Sequence, residues 1–137
     1  PTSAYEAQFS APYIVAQSFL RGHFTLDELE PAAFGEEQAL ELAAKVGWAE
    51  DPNSRFPKYY SGEIVVETKD GQTRRYREDV NRGSDANPLS ASDIEQKFSA
   101  NASRAINRVR ADQVYDAVMN LDKAESAWQL MEALAGE

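Results

Sequence analysis

Glu63-Ile64-Val65-Val66-Glu67-Thr68-Lys69-Asp70-Gly71-Gln72-Thr73-Arg74-Arg75-Tyr76-Arg77-Glu78 is the stretch on which the fold class turns. The β-branched run over residues 63–68, bounded by Gly62, predicts a strand. Asp70-Gly71 predicts a tight turn, and residues 73–80 return antiparallel. A two-residue loop would set Arg75 opposite Val66 and Arg77 opposite Ile64. A three-residue loop with Gly71 in a bulge sets Tyr76 opposite Ile64, which packs better and is the register expected here. Arg74, Arg75 and Arg77 alternate with Glu67, Glu78 and Asp79, so they read as cross-strand ion partners rather than an anion-binding patch. A lone hairpin is marginal in water, so one or two further short strands are expected beside it.

Upstream of the hairpin, residues 51–57 (Asp-Pro-Asn-Ser-Arg-Phe-Pro) form a loop by composition, and Val46–Glu50 reads as a short strand. Glu36–Lys45 predicts a helix with Leu40, Ala43 and Ala44 inward and Glu36, Glu37 and Glu41 in water. Thr25-Leu26-Asp27-Glu28 has the spacing of a capping box, with Pro31 expected to end its short helix and Gly35 as punctuation. His23, the single histidine, lies in a loop. Residues 10–22 predict a largely apolar helix: Ser10 as N-cap, Pro12 in the first turn, Gly22 as the stop. Tyr13 then lies near a helix mouth, where partial positive charge favours anions, so its phenol is placed to donate to a carboxylate. A first-turn tyrosine on an amphipathic helix equally fits plain core. Residues 1–9 read as a lead-in.

Downstream, residues 81–88 form a loop in which Arg82 and Ser84 are candidates to reach a ligand, without the spacing of a phosphate cradle. Ser90-Ala91-Ser92-Asp93 is a second capping box, opening a helix that turns Ile94, Phe98, Ala102 and Ala105 inward. Lys97 on its flank reads as a snorkelling lysine, with a catalytic base as the sharper alternative. Residues 107–110 read as a hinge. A helix over residues 111–121 presents Val114, Val118 and Leu121. Asp122 is expected to cap a last helix with the stripe Ala127, Leu130, Met131 and Leu134, ending at Gly136. Helices on both sides of a central hairpin give an α+β class: a small antiparallel sheet with helices packed on one face.

The chain has 137 residues, 14 basic and 23 acidic side chains, a net charge of −9 and no cysteine. That balance disfavours nucleic acid or an acidic membrane as partner, and it leaves no disulfide or thiolate metal site. No apolar run is long enough to cross a bilayer. The first residues, Pro1-Thr2-Ser3-Ala4, carry no leader pattern and no initiator methionine, as expected of an excised or processed piece. Neither a Ser/His/Asp set nor a metal-spaced cluster nor a glycine-rich phosphate loop is read in the residues.

Ala7-Gln8-Phe9-Ser10-Ala11-Pro12-Tyr13, continuing to Gly22, resembles the opening of the C-terminal domain of the MmgE/PrpD family. That family includes 2-methylcitrate dehydratases, cis-aconitate decarboxylases and iminodisuccinate epimerases. The resemblance continues in order through Phe24-Thr25-Leu26, Leu42-Ala43-Ala44-Lys45-Val46, Lys69-Asp70-Gly71, Asn87-Pro88-Leu89-Ser90 and Lys97-Phe98-Ser99-Ala100-Asn101-Ala102-Ser103. It implies one lid-like domain over residues 1–137 of a cofactor-independent enzyme acting on small polycarboxylates. Such chemistry needs a base, an acid and clamps for carboxylates. The resemblance places most of these groups, including key histidines and lysines, on a larger helical domain outside this chain. It carries over Tyr13 as a catalytic hydrogen-bond or proton donor, with Gln8 and Ser10 as substrate-side neighbours that orient it. It further implies a cytoplasmic homodimer at full length and an isolated chain without activity. The competing expectation is a non-catalytic module that docks on a partner through its terminal helices.

Overall fold

The structure, a computed structural model, describes residues 1–135. Within the single domain expected, the chain gathers into two compact units, Pro1–Glu50 and the remainder from Asp51 onward.

The first unit is helical. α1 (Ala4–Phe9) replaces the expected lead-in. It forms because Ser3 accepts from the Glu6 amide at 3.2 Å, while the Glu6 carboxylate reaches back to the Thr2 amide at 2.7 Å. α2 (Ala11–Arg21) starts and stops where the sequence predicts. The Ser10 hydroxyl accepts from the Tyr13 amide, Pro12 sits in the first turn, and Gly22 closes the helix with φ of 77°. The Thr25–Glu28 box forms only in part. Glu28 accepts from the Thr25 amide, but the Thr25 hydroxyl accepts from Asp27, and one tight turn results over Asp27–Leu29. Pro31 does not end that turn; it opens α3 (Pro31–Phe34), because a proline at the first helical position forfeits no hydrogen bond. α4 (Glu37–Ala43) packs on α2 and is rotated by one residue from the expected face. Ala39 is fully buried while Leu40 is exposed. The inward small side chain lets the α2 and α4 backbones approach closely. Residues 46–50 form no strand.

The second unit is built on β1 (Gly62–Glu67) and β2 (Thr73–Glu78), paired antiparallel with Ile64 opposite Tyr76, as the bulged register predicts. The Thr68 amide donates to Gln72 and the Gly71 amide to Thr68, each at 2.9 Å, and Gly71 takes φ of 80°, which favours glycine. Among the described residues the sheet has these two strands only, so the expected extra strands are absent. Ile64 is 49% and Tyr76 67% exposed, so the helix layer expected over one face does not cover this pair. Arg75 and Arg77 do find carboxylates, though not Glu67, while Arg74 donates to the Gln72 side-chain oxygen at 3.1 Å instead. The register sets Glu63 opposite Arg77 and Glu67 opposite Thr73, so Arg75 and Arg77 pair with Glu63 at 3.1 and 3.7 Å.

α5 (Ala91–Ala102) opens on a complete Ser90/Asp93 capping box. Of its expected inward face, Phe98 is half-buried against Tyr115, while Ile94 and Ala105 are exposed. α6 (Arg108–Met119) begins inside the expected hinge, since Asn107 caps it by accepting from the Arg110 amide at 3.0 Å. α6 buries Ala111 and Val114 and leaves Val118 exposed, while Leu121, expected on this helix, lies exposed in the turn after it. Asp122 lies in a tight turn over Leu121–Lys123 rather than capping α7 (Trp128–Ala135). α5 packs on α6, and α6 on α7. The expected stop at Gly136 lies outside the described residues.

Candidate functional site

The most heavily buried polar chemistry lies inside the first unit, around Tyr13, Gln17 and Glu28. Tyr13 and Glu28 are each 1% exposed and Gln17 is fully buried. The α2 periodicity explains the first two partners: Tyr13 and Gln17 are four residues apart, on one helix face. The Tyr13 ring meets Phe24 and Phe34 edge-on, at 6.1 and 6.3 Å between centroids. Its hydroxyl donates to the Glu28 main-chain carbonyl at 2.8 Å and accepts from Gln17 Nε2 at 3.2 Å. Gln17 Oε1 in turn accepts from Arg21 Nε at 2.9 Å, and Arg21 donates to Glu36 through Nη2.

The placement of Tyr13 corrects the expectation of a phenol offered at an open helix mouth. Ser10 caps the helix as expected, but the first-turn position points the tyrosine between two phenylalanines. The hydroxyl's single proton is committed to Glu28, so donation to a carboxylate would require releasing that carbonyl. Ser10 holds the Tyr13 amide at 3.4 Å, and so positions its backbone, not its phenol. Gln8 is exposed on α1, and its side chain makes no hydrogen bond to Tyr13 or any other described residue.

Glu28 is the group that sequence reading missed; its capping-box position announced a helix start, and burial was not visible from spacing. Its Oε2 accepts from the Thr25 amide at 2.6 Å and the Thr25 hydroxyl at 3.0 Å. Its Oε1 lies 3.5 Å from Arg21 Nε and 3.8 Å from His23 Nε2. Burial raises the carboxyl's pKa, but the Thr25 hydrogen bonds, with help from His23, outweigh it and hold Glu28 below its ordinary value. The side chain is therefore an ionised carboxylate that folds residues 23–29 into a tight turn. The same residue's carbonyl then accepts the Tyr13 hydroxyl's hydrogen bond. His23 stays in its loop, 58% exposed, leaning on this carboxylate.

The remaining candidates lie in the second unit. Arg82 pairs with Asp93 at 2.8 Å. The Ser90 hydroxyl, Arg82 and the Ser90 amide together pull the Asp93 carboxyl down to about 2. Ser84 Oγ is shielded from solvent with no hydrogen-bond partner among the described residues. Lys97 is exposed on α5. Among the described residues no group of three or more histidine, aspartate or glutamate side chains could hold a metal, and no helix is long and apolar enough to cross a membrane.

Residues 1–123 match the MmgE/PrpD C-terminal domain. The chain is 33% identical over 138 aligned positions to the cis-aconitate decarboxylase of Homo sapiens, and 32% identical to that of Mus musculus, with 99% of the chain aligned in each case. It is 28% identical to a cis-aconitate decarboxylase-like protein of Aspergillus oryzae, over its full length. The chain spans 28% of the length of each of these relatives. On this match, which runs from α1 through the turn at Leu121–Lys123, the chain belongs to the MmgE/PrpD family.

Proposed function

We propose that the chain is the C-terminal, lid-like part of an enzyme that removes carbon dioxide or water from a small polycarboxylate. The observation that carries this reading is the family match over residues 1–123, together with relatives named as cis-aconitate decarboxylases. Decarboxylation of the cis-aconitate type ranks first; dehydration of the 2-methylcitrate type or epimerisation ranks second. Either chemistry needs proton donors and acceptors beside carboxylate clamps. In this reading a helical domain beyond these residues supplies most of them, the enzyme works as a cytoplasmic homodimer, and the chain by itself is inactive. Tyr13 contributes by fixing the 25–29 turn from beneath. Direct contact of its hydroxyl with substrate is the alternative role, reached by exchanging the Glu28 carbonyl for a substrate carboxylate.

The test is an assay of the chain alone, and of the chain joined to a family helical domain, with cis-aconitate and 2-methylcitrate. Turnover in the joined protein only is the expected result. Turnover by the chain alone overturns the two-domain reading, and no turnover in a folded, joined protein overturns the enzyme reading. A second reading, a docking module without catalysis, is favoured by one observation: Trp128, Met131 and Leu134 on α7 are all more than half exposed.

A further inference from the structure

We propose that the loop before β1 is a binding site for a small molecule carrying two or more carboxylates, held by Arg55 and Lys58 on either side of Phe56-Pro57. The inference rests on the polycarboxylate reading for its ligand class, and on the loop's own geometry for the site. The Arg55 guanidinium and the Lys58 ammonium both lie over the ring of Tyr59, each 5.2 Å from its centroid. Tyr59 is buried and the two cations are exposed. A single ring thus holds two like charges within twice that distance of each other, with its π system as their common partner.

No carboxylate of the described residues pairs with either cation, in a chain whose acidic groups outnumber its basic ones. The reason lies in the neighbourhood. Three acids of the same unit pair instead with Arg77, which reaches Asp51 at 3.0 Å, Glu63 at 3.7 Å and Asp79 at 2.6 Å. Arg75 takes Glu63 as well. The loop therefore carries two cations that no ion pair neutralises among the described residues.

It is also held in place before any ligand arrives. The Arg55 amide donates to Ser61 Oγ at 2.9 Å, and the Tyr59 amide to the Arg55 carbonyl at 3.1 Å. The Tyr60 amide donates to Asn81 Oδ1 at 3.1 Å, and Arg77 Nη2 to the Asn53 carbonyl at 2.9 Å. Ordering two cations in advance removes much of the entropy that binding would otherwise have to supply. A guanidinium takes a carboxylate in a two-point fork, and an ammonium takes a second carboxylate as a point charge. That pair selects a polycarboxylate over a monocarboxylate.

The experiment is a titration of the 137-residue chain with tricarballylate, an unreactive tricarboxylate, followed by amide NMR at constant ionic strength. Acetate and inorganic phosphate are run in parallel. The expected result is saturable shifts confined to residues 54–61. R55Q and K58Q should each weaken binding, and the double variant by about tenfold or more, as expected for losing charge-assisted contacts. R74Q, which removes an equal charge from an exposed arginine on β2, should leave the affinity unchanged. Absence of saturable shifts overturns the site. So does an R74Q loss equal to that of R55Q, acetate binding as tight as tricarballylate, or phosphate binding tighter than it. A joined enzyme that turns over cis-aconitate while this loop binds nothing would overturn this inference and leave the proposed function standing.

Discussion

The turns at Thr25–Glu28 and Ser90–Asp93 begin from one sequence pattern and end in different physics. In both, a carboxylate reaches back three residues to a hydroxyl amino acid and accepts from its amide and its hydroxyl. Asp93 does this in water at the start of a twelve-residue helix, with Arg82 beside it. Glu28 does it at 1% exposure, at a turn of three residues, with Arg21, His23 and Tyr13 gathered on it. The contrast shows that a capping motif sets a local bend, while burial decides how much of the fold leans on it. An exposed cap can hand its hydrogen bonds to water; a buried one cannot.

The largest expected effect separates the two at once. Glu28→Ala strands the Thr25 amide and removes the buried partner of Arg21, and should lower stability by about 3 kcal/mol in urea unfolding. Asp93→Ala should fall within the scatter of surface substitutions in the same measurement. Equal losses would erase the distinction.

Acid reaches the same groups by titration. Both carboxyls are depressed in the folded state, so the stability each contributes is complete above its unfolded value and is lost as pH falls through the folded one. Asp93, held at about 2, keeps its contribution until the pH falls toward that value. Urea midpoints measured from neutral pH downward should therefore show a loss that Glu28→Gln removes and Asp93→Asn leaves in place.

Tyr13→Phe comes next. It leaves the Glu28 carbonyl without its donor and should cost about 1.5 kcal/mol. In a joined, catalytically active enzyme the same variant sharpens the role of Tyr13. A positioning role predicts a loss of kcat/KM that Gln17→Ala or Glu28→Gln reproduces in kind. A direct role predicts a much larger loss with Tyr13→Phe alone. Ser90→Ala should follow at about 1 kcal/mol, the ordinary value of one helix cap, leaving Asp93→Ala as the smallest effect.

What could be read from the residues followed the range of the interactions. The α2 cap at Ser10 and stop at Gly22, the Gly71 bulge that sets Ile64 against Tyr76, and the Ser90/Asp93 box are all local, fixed by neighbours in sequence. The rotation of α4 that buries Ala39 instead of Leu40 was not legible, because it depends on how closely α2 approaches. Tyr13 shows the same limit at the candidate site. Its helix position was readable, but the Phe24 and Phe34 rings that close over it come from other elements. The Arg55/Lys58 pair was hidden for a related reason: which acids remain free for them depends on the hairpin register and on Arg77.

Nitration of the native chain by tetranitromethane, mapped by peptide mass spectrometry, tests most directly whether the Tyr13 phenol is enclosed. Tyr5, Tyr60 and Tyr76, each more than two-thirds exposed, should react first, with Tyr13 protected until the protein unfolds. Nitration of Tyr13 at the rate of Tyr60 in the folded chain would contradict the account and return its hydroxyl to an open surface.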